Sequence, residues 1–185
     1  LVFHGDGGYS VKSESGQASY YYSQPFYRVR GTVNLPDGPV TVSGTAWLDR
    51  EWSSQPLSAD QTGWDWISLH LDTGEKLMGF QLRNSDGTAY RSATWIGANG
   101  ATYAISHPHL NMEPLSRTAV AGRQVPTRWS VTLPECNLDV TIDAINRKAW
   151  MDLSIAYWEG PVVVSGSHSG MGYLEMTGYP VSPAN

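Results

Sequence analysis

From Phe26 onward, apolar residues recur at every second position in runs closed by turn-forming residues. No stretch sustains the 3.6-residue repeat of an amphipathic helix. A period of two buries one face only if the chain is extended, so the sequence predicts strands. Tyr27, Val29, Val33 and Leu35 share one side of the first clean run, and Arg28, Arg30, Thr32 and Asn34 the other. Pro36-Asp37-Gly38 supplies a hairpin turn to a second run, Val40–Trp52. A polar loop follows over 53–62. Gly44–Arg83 then reads as three consecutive strands forming one wall of a β-barrel, with four of the eight tryptophans inside it. Further strands are expected near 90–96, 101–105, 127–133, 138–145, 157–165 and 172–177. Residues 106–125 read as an irregular connection holding the best chance of a short helix, near 111–119. Hairpin turns between successive strands favour an all-β, antiparallel up-and-down barrel over a sandwich.

The barrel is expected over residues 25–185. Residues 1–24 hold a strand end (Leu1–His4), a Gly-rich turn, a polar loop and a β-prone run at Ala18–Ser23. They read as the tail of an N-terminal domain or as a linking strand. Tryptophan and tyrosine far outnumber phenylalanine, which suits half-wet surfaces such as barrel mouths and ligand pockets. The net charge of −5 and the lack of a basic run argue against a nucleic-acid partner. Cys136 is the single cysteine, so an intrachain disulfide and a cysteine-based zinc site are excluded. No apolar run is long enough to span a bilayer as a helix. Gly166–Gly170 has the spacing of a nucleophile elbow, but no helix is expected to follow it.

Several motifs are similar to those of the AttH-like family, the lipocalin-like proteins also described as carotenoid 1,2-hydratases or hydroxyneurosporene synthases. They are Tyr21-Tyr22-Ser23, the run Gly44 to Trp52 with Asp49-Arg50-Glu51-Trp52 at its end, Gly63-Trp64-Asp65-Trp66, Leu82-Arg83, Tyr157-Trp158-Glu159-Gly160, and the run Gly172 to Tyr179. The resemblance implies a lipocalin-like barrel, a second lipocalin-like domain as partner, and a hydrophobic small-molecule ligand. It also implies hydratase-like or cyclase-like chemistry, or a non-catalytic envelope carrier, with a periplasmic or secreted location. No cofactor is implied. The family usually has histidine where this chain has Arg50, and arginine does not shuttle protons at neutral pH.

Hydrating an unactivated alkene requires a strong general acid, and a carboxyl kept neutral in an apolar setting would serve. Asp65, Glu51 and Asp49 are the candidates. Asp65 shares a strand face with Ile67, Leu69 and Leu71, so it is either a raised-pKa acid or one half of an ion pair with Arg50 or Arg83. Trp47, Trp52, Trp64, Trp66 and Trp158 would line a pocket and steady a carbocation, or else fill the core. Tyr21 or Tyr22 would orient the ligand. Glu159 and Glu175 enter through the resemblance. His107 and His109 could offer a two-histidine metal pair, but no third ligand follows at a defined spacing, so no metal site is assigned. His70 is a lesser candidate, and His4 and His168 carry no sequence signal.

Overall fold

The computed structural model describes residues 1–55, 57–106 and 108–182. Two antiparallel sheets account for nearly all of it. The first contains β1 (Val2–Phe3), β2 (Tyr9–Val11), β3 (Ala18–Leu35) and β4 (Gly38–Trp52). One side of β3 pairs with β1 and β2 in turn, and its other side with β4 along almost its whole length. Past a bulge at Gln24–Tyr27, the β3–β4 hairpin projects as an arm exposed on both faces.

The second sheet contains β5 (Gln61–Leu71), β6 (Lys76–Asn84), β7 (Ala89–Ile96), β8 (Thr102–Ile105), β9 (Asn111–Val120), β10 (Arg123–Leu133), β11 (Leu138–Ala144), β12 (Trp150–Met151), β13 (Tyr157–Gly166) and β14 (Gly170–Met176). Its order is β8-β7-β6-β5-β14-β13-β11-β10-β9, with β12 added to β13. It curls into an antiparallel half-barrel, an all-β lipocalin-like fold.

The inner face of the curl carries the main core, including Ile67, Leu69, Leu77, Trp129, Val131, Ile142, Trp158 and Leu174. Alternate residues on β5 and β6 point outward. Trp64, Trp66, Met78, Phe80 and Leu82 meet Tyr21 and Trp47 of the first sheet in a second cluster. The wall expected over Gly44–Arg83 is therefore divided between the two sheets. β4 pairs with β3, and β5 pairs with β6 and β14.

The helix expected near 111–119 is instead β9, hydrogen-bonded to β10. Ala121 and Gly122 both have positive φ, as a tight hairpin turn between those strands requires. Pro114 is tolerated because β9 lies at the sheet edge, beside a register shift in its partner. Among the described residues, no helix is long and apolar enough to cross a membrane.

Candidate functional site

The predicted site residues fall on two sides of the β5–β6 partition. Between the sheets lies a cavity of about 360 Å³. Its walls include Tyr21, Trp64, Trp66, Phe80 and Leu82, and its acids are Asp49, Glu51 and Glu175. Strand alternation on β3 and β4 turns Tyr21, Ser23, Asp49 and Glu51 toward this space. It turns Tyr20, Tyr22 and Arg50 away. Tyr22 packs edge-on against Phe3 and Trp52 on the outer side, and Arg50 is its cross-strand neighbour there. Arg50 therefore faces away from this cavity.

Of the three predicted acids, Asp49 and Glu51 reach the cavity, and Asp49 is the more enclosed of the two. Trp47 Nε1 donates to its Oδ1 at 2.9 Å, and Ser23 Oγ donates to the same oxygen. Burial raises its pKa, the bonds from Ser23, Trp47 and Tyr21 oppose the rise, and the Glu51 charge adds to it. Glu51 forms an ion pair with Lys12 at 2.7 Å and accepts from Ser19. The Lys12 ammonium lies 4.0 Å from the Phe80 ring centre and 5.0 Å from that of Tyr21. Burial lowers its pKa, against the pull of Glu51. Trp66 Nε1 donates to Tyr21 Oη at 2.9 Å and Trp64 Nε1 to Glu175 at 2.8 Å. Burial also raises the Glu175 pKa, and the neighbouring charges of Glu159, Asp49 and Glu51 push the same way.

His4 is fully buried behind this site, although nothing in its sequence surroundings singled it out. It bridges Ser23 Oγ at 2.6 Å and Thr94 Oγ1 at 2.9 Å, with the Tyr21 ring at 4.3 Å. Ser23 gives its proton to Asp49, so its oxygen accepts from His4 Nε2–H, and Nδ1 accepts from Thr94. This neutral tautomer connects the two sheets and supports Asp49 from behind. Burial, aided by the Lys12 charge, lowers the His4 pKa to about 3.

Asp65 lies on the other side of the partition, facing the half-barrel interior, and is fully buried. Arg83 Nη1 forms an ion pair with it, Gln81 donates at 2.7 Å and Tyr179 Oη at 2.8 Å. Of the two readings of Asp65, the structure places it in the ion pair with Arg83. Trp158 is a fully buried core residue that donates to the Arg147 carbonyl at 3.0 Å. Glu159 is half-buried opposite Glu175 and accepts from Tyr173. His70 packs edge-on against Trp47, and burial lowers its pKa. His107 lies outside the described residues, and His109 pairs with Glu135. Among the described residues, no three histidine, cysteine or acidic side chains are placed to hold a metal.

A search of curated proteins gives no significant match. Among solved structures, the crystal structure of a "putative AttH" from Nitrosomonas europaea is 35% identical, with a TM-score of 0.88. The match covers 97% of this chain but 58% of that protein, so the chain spans a little over half the length of its relative. The AttH-like family matches residues 1–179, and the chain belongs to that family.

Proposed function

We propose that the cavity between the sheets binds a hydrophobic small molecule and that Asp49 is its general acid. The observation that carries this reading is a half-buried carboxyl, its pKa raised by desolvation, at an aromatic-walled cavity. The cavity volume falls within the range of roughly 300–1,000 Å³ typical of ligand sites. Hydratase-like or cyclase-like chemistry follows naturally from that setting. Neutral Asp49 would transfer its proton to an alkene carbon. The cationic centre formed would lie against the Trp64 and Trp66 faces, which attract positive charge. In hydration, water then adds to that centre and loses a proton back to the Asp49 carboxylate. Glu51, already paired with Lys12, is a weaker candidate for the donor. The exposed apolar row on the β3–β4 arm, including Val29, Val33, Leu35 and Val40, suits burial against the second lipocalin-like domain that the resemblance implies.

Native mass spectrometry after incubation with a lipid extract tests the binding. A retained apolar species should be lost in Trp66→Ala. Asp49→Asn should keep the bound species and abolish its hydration or cyclisation. Binding without turnover in the wild type would make the protein a carrier. No retained species, or retention unaffected by Trp66→Ala, would remove the site.

A further inference from the structure

The mouth of the half-barrel forms a second cavity, of about 680 Å³, on the opposite side of β5 and β6. Three of the nine arginines of this acidic chain line it: Arg83, Arg91 and Arg117. Arg83 is fully engaged, with Nη1 on Asp65 and Nη2 on the Thr177 carbonyl. The other two are not. Neither Arg91 nor Arg117 has a carboxylate within ion-pair distance among the described residues. Arg91 donates Nε to Gln81 Oε1 at 3.0 Å, which leaves both Nη groups without an acceptor among those residues. Arg117 donates a single Nη1 bond to the Gln124 carbonyl, at 3.2 Å. Glu113 is the one acid among the lining residues, and it accepts from Asn111.

Guanidinium forks match a carboxylate or phosphate. Met112, Pro114 and the Tyr179 ring supply apolar wall around these donors.

We infer that the half-barrel mouth binds an amphiphilic organic anion. Its carboxylate or phosphate head is held by Arg91 and Arg117, and its apolar body rests on Met112 and Pro114. The two cavities then sort ligands by charge. Among the described residues, the space between the sheets has its one lysine already paired with Glu51, so it offers no free cation to the anion that the barrel mouth attracts.

Calorimetric titration with decanoate, decyl phosphate, decanol and inorganic phosphate tests this, each kept below micelle formation. At least one ten-carbon anion should bind, with decanol and inorganic phosphate each weaker by about tenfold or more. Whichever anion binds identifies the head group. R91Q/R117E should weaken it at least about tenfold, whereas W66A in the other cavity should leave it unchanged. Thermal melts check that each variant folds. R117E alone, at an exposed rim position, should still weaken binding about fivefold. The inference fails if neither anion binds, if decanol or inorganic phosphate binds equally well, or if folded R117E retains wild-type affinity.

Discussion

His4→Gln should flatten the acid limb of the stability curve. Folded His4 holds its proton only below a pKa of about 3, whereas the unfolded chain protonates it near 6.5. Between those values the unfolded state binds the extra proton, so stability falls as pH falls. The full effect is present above pH 6.5 and is lost progressively down to about pH 3. Its limiting slope is about 1.4 kcal/mol per pH unit. From pH 7.5 to 5 the loss worked from these values is about 2 kcal/mol, or a fall of roughly 4–8 °C in Tm for a chain of this size. Glutamine can donate to Ser23 and accept from Thr94 as the neutral ring does, but it does not titrate. Asp49, Glu175 and Lys12 titrate in both proteins, so the difference between the two curves isolates His4. Urea unfolding at half-unit pH steps should give curves that run parallel above pH 7 and converge or cross below it. Identical acid slopes in the two proteins, or an imidazole that titrates near 6.5 by NMR in the folded wild type, would refute the buried neutral assignment.

Arg83→Met leaves fully buried Asp65 without its cation and should cost about 3–5 kcal/mol in urea unfolding. Adding Asp65→Leu should restore part of that loss, which would show that the single variant suffers chiefly from a stranded charge. Gly178→Ala forces a side chain into positive φ, with its Cβ 2.0 Å from the Thr62 carbonyl oxygen. It should destabilise by about 1–3 kcal/mol in thermal melts. Trp66→Phe removes the bond to Tyr21 Oη while keeping most of the apolar volume, and should cost about 1 kcal/mol in chemical unfolding.

Local pattern was enough to place most strands, because alternation and turn residues act within a few positions. Asp65 shows how far this reaches. Its face was readable from Ile67, Leu69 and Leu71, and Arg83 was readable as a possible partner. The choice of strand neighbours was not readable in the same way. Nothing between Trp52 and Trp64 says that β4 ends one sheet and β5 opens another. Pro114 and its polar neighbours obscured β9, whose conformation is set by β10 across a hairpin. His4 stands alone in a glycine-rich segment, and its partners Ser23 and Thr94 are 19 and 90 residues away. The arginines at the barrel mouth are equally scattered along the chain, so an acidic sequence with no basic run still yields a locally cationic cavity.

The partition between the two chambers is one polypeptide layer thick, and adjacent residues of the same strand belong to different rooms. On β5, Trp64 and Trp66 look toward the acids while Asp65 looks toward the arginines. On β6, Phe80 and Leu82 alternate in the same way with Gln81 and Arg83. Inserting or deleting a single residue in either strand would therefore not merely loosen the wall. It would turn the furnishings of each room inside out, so the spacing within these few residues is itself part of the protein's chemistry.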